Sequence, residues 1–300
     1  MTAPARAGDV LFTRHPARRG FAWLRESWAM FSRARLPWLV LISIYYVILL
    51  LVNVVPIVGQ LVWPLLKPVF AVGFLAAAWA QERGGSPQAK QLFDGFRSNV
   101  WALLPLGVFL LVGIMVAILS SAIVDGGRLV DFLTNPPPPA PAAGADAAAG
   151  ADAAAAEATA SEALLTDPRV QGGMLVAAAC GLPVLLALWF APALVVFQDC
   201  GAARALATSL RAALANWKPI AVYGLLVFFW GGIVPALATW LIALVVPKSL
   251  AFIVALLVLM PYIFLFIATL HISDYVSYRD IFHADERPPA EPPPAPDAAA

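Results

Sequence analysis

Long apolar runs separated by short polar ones organise this chain. The apolar runs cover residues 38–55, 61–80, 100–124, 172–197, 220–246 and 250–272. Each is close to the length of about 20 residues that a helix needs to cross a bilayer core. The pattern predicts an all-α polytopic integral membrane protein with six transmembrane helices. Short amphipathic interfacial helices are expected before the first, third and fifth spans. Three stretches carry this grammar: Trp23 to Tyr45, Ser86 to Leu110 and Ala202 to Phe229. Each has an Arg-bearing polar segment, a Trp near the water boundary, and a Pro close to the start of the apolar run, as in Trp217-Lys218-Pro219. Ser209-Leu210-Arg211 against Gly95-Phe96-Arg97 suggests a weak internal repeat.

In the first stretch Phe21, Leu24, Trp28 and Phe31 recur at helical spacing, which predicts one shared face. Basic residues beside Trp and Phe suit a helix lying in the headgroup layer. Ser86-Pro87 reads as an N-cap and first-turn Pro for a short helix to Arg97. Pro183 and Pro192 are expected to kink the fourth span, and Gly231-Gly232 with Pro235 to distort the fifth. Pro56 to Gln60 reads as a tight turn.

Two kinds of segment break the pattern. Residues 125–170 hold a Pro run and an acidic Ala/Gly tract. They predict a mobile non-cytoplasmic loop with room for a short helix around Ala153 to Leu165. Residues 1–19 and 284–300 predict disordered ends around a membrane domain over 20–283. Residues 1–36 are polar and basic, without the early apolar core of a cleavable signal peptide, which leaves membrane entry to the first span.

Composition supports a lipid solvent. Hydrophobic residues make up 61% of the 300 positions and charged residues 12%, against about 25% charged in soluble domains. Mean hydropathy is +0.82. Cys180 and Cys200 imply no disulfide framework. Charge then sets an orientation. With six spans, only Lys67, Arg128, Arg169 and Lys248 of the 19 Lys and Arg residues fall on the side opposite the termini. The positive-inside rule places both termini in the cytoplasm.

Candidate chemistry is sparse. The chain holds no phosphate loop, HExxH, GxSxG or paired CxxC, so the expectation is a non-enzyme without cofactor, metal or nucleic-acid partner. Lys67 stands inside the second apolar run, where an ionisable residue is rare and often functional. The competing reading starts the helix near Pro68 and lets Lys67 snorkel to the headgroups. His271 and Asp274 are three apart and share a helix face at the end of the sixth span. That spacing fits a proton relay or half a metal site, and equally a polar helix end meeting water. Gly73 and Ala77, and Gly173, Ala177 and Gly181, are small-residue ladders that let helices approach. They are candidate faces for a protein partner or a second copy.

Several local motifs belong together. They are Arg18-Arg19-Gly20, Pro56-Ile57-Val58-Gly59, Phe93-Asp94-Gly95-Phe96-Arg97 and Ala191-Pro192-Ala193-Leu194-Val195, then Asn216-Trp217-x-Pro219, Tyr223-Gly224-Leu225 and Tyr278-Arg279-Asp280-Ile281-Phe282. On these the chain resembles a family of uncharacterised bacterial multi-pass inner-membrane proteins, over most of residues 18–283. The resemblance implies an inner-membrane location and carries no activity. Two functional expectations follow. One is a non-enzymatic protein that organises lipids or partner proteins. The other is a small secondary transporter or channel using the Pro- and Gly-interrupted spans.

Overall fold

The computed structural model describes residues 10–54, 58–98, 100–135, 159 and 163–283. The expected turn at Pro56, most of the Pro/Ala-rich segment and the acidic tail lie outside the described residues. The described chain is built from helices. Six of them are long and apolar enough to cross a membrane: Arg35–Asn53, Gly59–Glu82, Val100–Asp125, Pro168–Phe197, Trp217–Val245 and Ser249–Phe282. The protein is an all-α polytopic membrane protein.

In chain order the elements are α1 (Arg19–Arg33), α2 (Arg35–Asn53), α3 (Val58–Glu82), a 3-10 turn (Ala89–Phe93), α4 (Asp94–Arg97), α5 (Val100–Asp125) and α6 (Arg128–Thr134). Then follow α7 (Pro168–Trp189), α8 (Ala191–Phe197), α9 (Ala202–Ala215), α10 (Trp217–Phe228), a π turn (Phe229–Ile233), α11 (Val234–Val245) and α12 (Lys248–Phe282). The chain forms two compact units. The first is Met1–Val47, Ala71–Asp94 and Arg211–Ala300; the second is Ile48–Phe70 and Gly95–Leu210.

In the first unit α2 buries Trp38, Leu41, Ile42 and Tyr45, one stripe at helical spacing. The Tyr45 ring meets Phe74 of α3 edge-on at 5.1 Å. At the end of α3, Gln81 joins three helices. Its Oε1 accepts from Trp38 Nε1 at 2.7 Å, and its Nε2 donates to the Met30 carbonyl at 2.6 Å. Gly73 lies on the backbone of Leu92, where a Cβ would stand 2.5 Å from the carbonyl oxygen, and Ala77 is fully buried. This ladder is therefore taken up by packing within the unit and is not open to a partner.

The Gly231-Gly232 distortion takes the form of the π turn, which adds one residue to the helical ladder. The Tyr262 hydroxyl donates to the Trp230 carbonyl there. Helix α12 continues past the sixth apolar run. Its 35 residues extend about 52 Å at 1.5 Å per residue, well beyond a hydrocarbon core of about 30 Å. The apolar run stops at Ile272, but hydrogen bonding continues the helix for ten more residues.

The second unit centres on α5 against α7. Gly173 of α7 faces the Ser121 carbonyl and Asp125 of α5, with 3.1 Å left for a Cβ. Gly181 faces Ala117 at 3.6 Å. With Ala177 half-buried between them, this ladder also serves an internal helix contact. Helix α7 begins at Pro168, earlier than the apolar run, because Asp167 caps it by accepting from the Arg169 amide at 2.8 Å. Helix α6 likewise forms inside the stretch expected to be a loop. Buried Asp125 accepts from the Gly127 and Leu129 amides at 2.7 and 3.2 Å.

The kink in the fourth span has a specific agent. Ser209 Oγ accepts from the Phe190 amide at 3.0 Å and donates to the Leu186 carbonyl at 2.9 Å. A helix would bond those two backbone groups to each other. The inserted hydroxyl satisfies both while the axis turns ahead of Pro192.

The polar connections depart from expectation in two places. The segment before the third span is a 3-10 turn and a single α turn, and it starts at Ala89 rather than at Ser86. Gln91 Oε1 takes the Gln88 amide at 2.7 Å, so the cap comes from inside the turn. Helix α1 forms where expected but turns a different face inward. Gly20, Trp23, Ser27, Met30 and Phe31 are buried, whereas Phe21 and Trp28 are 55% and 47% exposed. Of the expected face only Phe31 is buried.

Candidate functional site

The first unit gathers charge at one end of its helices. Gly20 lets α1 lie against the entry to α10, since any Cβ there would overlap the Pro219 carbonyl oxygen and come 2.9 Å from the Tyr223 amide. That contact sets Trp23 beside Tyr223, ring centroids 6.2 Å apart. It also turns the inner face of α1 towards the last turns of α12.

Asp280 is the anchor. Its side chain is 2% exposed. Its Oδ2 accepts from Arg19 Nε at 2.7 Å and from Trp23 Nε1 at 3.0 Å. Arg19 Nη1 continues to Glu26 Oε1 at 3.0 Å. Glu26 Oε2 takes Arg279 Nη2 at 2.9 Å. Arg279 also pairs with Glu82, which accepts from the Tyr275 hydroxyl. Acid and base thus alternate from Asp280 through Arg19, Glu26 and Arg279 to Glu82, each guanidinium shared by two carboxylates. Burial works against the Arg19 charge, but the hydrogen bond and charge of Asp280, with Glu26 behind them, hold its pKa above the usual value. Arg19 stays a cation at any working pH.

The chain before α1 closes the same end. The Thr13 amide donates to the Ile281 carbonyl at 2.8 Å. Fully buried Asn216 donates to the Thr13 carbonyl at 3.0 Å and accepts from the His15 amide at 2.8 Å. His15 Nε2 lies 2.9 Å from the Asp280 carbonyl oxygen. The Phe12 ring meets Phe282 edge-on at 6.4 Å. Motifs from both ends of the sequence, Arg18-Arg19-Gly20 and Tyr278-Arg279-Asp280-Ile281-Phe282, together with Asn216-Trp217-x-Pro219 and Tyr223, therefore build one clasp.

Beside the clasp is a groove of about 570 Å³. Glu26, Met30 and Arg33 of α1, Gln81 and Glu82 of α3, and Arg279 of α12 line it. Gly84, at φ +85°, turns the chain out of α3 and gives the groove a backbone wall.

The residues singled out from sequence fare differently. His271 Nδ1 and Asp274 Oδ2 do come within 3.9 Å. The His271 ring stacks on Phe74 with centroids 3.8 Å apart, and the Tyr45 ring stands 5.8 Å away. Among the described residues no group of three or more His, Cys, Asp or Glu side chains is placed to hold a metal ion. Lys67 lies in the second unit and is exposed. The helix around it begins at Val58, so the reading that starts the helix near Pro68 is corrected: Lys67 projects from a continuous helix, in spite of Pro64 and Pro68. The clasp charges were missed as a group. Arg19 and Asp280 each sit in a motif, but 261 residues separate them, and no local spacing signals the pair.

The chain is 30% identical over 274 residues to a protein of Burkholderia thailandensis named a probable inner membrane protein. The match covers 90% of this chain and 93% of that relative. The chain belongs to that protein's family. No family model matches the chain, and no solved structure matches it. Six apolar helices and this relationship make the family member described here a multi-pass inner-membrane protein whose apolar helices contact lipid.

Proposed function

We propose that this inner-membrane protein is not an enzyme but organises lipid at the cytoplasmic face, with both termini in the cytoplasm. The carrying observation is the two-faced helix α1. Its inner face is fixed by Trp23, Arg19 and Glu26 to α12. Its outer face presents Phe21 and Trp28, with half-buried Leu24 between them, beside exposed Arg25. An interfacial helix with aromatic and basic residues gains from acyl chains and from anionic headgroups, at about 1 kcal/mol per basic residue near an acidic leaflet. Here the clasp ties that helix to α12. Helix α9 repeats the arrangement. Ala205, Thr208, Ser209, Ala212 and Ala213 are buried, while Arg204, Arg211 and Leu214 face outward. The distribution of Lys and Arg supports the orientation.

The test is the double variant Phe21→Ser/Trp28→Ser, extracted in native membrane discs and analysed by mass spectrometry. Both side chains are exposed, so the fold should persist while retained lipid falls at least twofold. Unchanged lipid retention would sink the proposal.

A further inference from the structure

The groove beside the clasp carries a more specific reading, which rests on the lipid-organising proposal. We infer that it is a binding site for one zwitterionic phospholipid headgroup, a phosphoethanolamine. Its size is that of a small-molecule site, which runs from about 300 to 1,000 Å³. Its formal charge is balanced, two carboxylates against two guanidiniums. Glu26 and Glu82 supply two carboxylates, 29% and 36% exposed, which share Arg279 between them. Arg33, exposed at the rim, has no ion-pair partner among the described residues. An anionic headgroup would meet both carboxylates, and a purely cationic ligand would meet Arg33. A headgroup with an ammonium and a phosphate satisfies both ends at once.

The primary ammonium supplies three N–H donors to carboxylate oxygens. A trimethylated ammonium supplies none. The phosphate suits the planar donor fork of Arg33. Ala29, Met30 and Ala34 add an apolar wall where a glycerol backbone would lie. The position fits a lipid rather than a soluble ligand. The groove opens where α3 ends and α1 leads into α2, at the ends of two helices long and apolar enough to cross a membrane.

The experiment uses the full chain in nanodiscs of equimolar phosphatidylethanolamine, phosphatidylcholine and phosphatidylglycerol, with native mass spectrometry as readout. One phosphatidylethanolamine should be retained at least fivefold over each of the others. Arg33→Gln, at an exposed position, should cut that retention about tenfold, the scale of one charge-assisted contact. Ala29→Trp, which fills the groove from an exposed position, should abolish it. Equal retention of the three lipids, no effect of either variant, or full displacement by equimolar water-soluble glycerophosphoethanolamine would overturn the inference. The broader proposal is judged separately. If Phe21→Ser/Trp28→Ser still sheds lipid without headgroup preference, the groove reading fails and the interfacial one stands.

Discussion

Replacing Asp280 by Ala tests the clasp most directly. The side chain is 2% exposed and accepts from both Arg19 and Trp23. Its removal strands a guanidinium that is itself only 19% exposed. Removing one partner of a buried pair costs about 3–5 kcal/mol, because the other charge loses its compensation. Arg19 keeps Glu26 at 3.0 Å, which argues for the lower end. The orphaned Trp23 N–H, itself a cost of about 1 kcal/mol, keeps the total from falling below that end. The expected cost is about 3 kcal/mol. It should fall on the docking of α1, since α12 is held along its length by its own backbone bonds. Hydrogen exchange of the α1 amides, in protein held in lipid discs, reads that docking. A loss of about 3 kcal/mol corresponds to exchange roughly a hundredfold faster in α1, with α5 and α7 unchanged. The pair Arg19→Met/Asp280→Ala supplies a sign test: removing both charges should cost less than removing Asp280 alone. Exchange in α1 accelerated less than about fivefold by Asp280→Ala, or a double variant worse than the single one, would refute the reasoning.

Other outcomes follow from single contacts. Gly20→Ala forces a methyl onto the Pro219 carbonyl, backbone against backbone, and should cost about 2–3 kcal/mol, seen as lost protection in both α1 and α10. Tyr223→Phe removes the buried bond to Ser273 Oγ at 2.6 Å. Polar pairs within membrane helices are worth about 0.6 kcal/mol on average, so its effect on thermal unfolding should be small, and a collapse of the fold would contradict that estimate. Lys67→Met should leave expression, unfolding and retained lipid unchanged, because the side chain is exposed; loss of a solute flux in that variant would favour transport instead. A fluorescent protein that matures only in the cytoplasm should light up when fused after Ala300, and a dark fusion would reverse the orientation.

Hydropathy alone determined the six spans, because the cost of leaving apolar side chains in water and backbone groups unpaired in lipid is paid locally, residue by residue. It also marked the helices ahead of the first and fifth spans and the Gly-Gly distortion of the fifth, but not the form or the start of the segment ahead of the third. It did not determine which side of each helix faces protein. In α1 the apolar residues form two faces, and periodicity picks Phe21, Leu24, Trp28 and Phe31, of which Phe21 and Trp28 stay outside and only Phe31 is buried. The physical reason is that lipid tails are as apolar as a protein interior, so hydrophobicity stops distinguishing inside from outside once a helix reaches the membrane. Packing detail distinguishes them instead: Gly20 against Pro219, Ser209 inside the Leu186–Phe190 bond, Gln81 between Trp38 and Met30. The clasp lies further still from any sequence signal. Arg19 and Asp280 read as two ordinary charges at opposite ends of the chain, and beyond Asp274 no periodicity marks the helix as continuing. Only the tertiary structure decided how far the helix continues, that the two ends meet, and that each of these charges is paired with another.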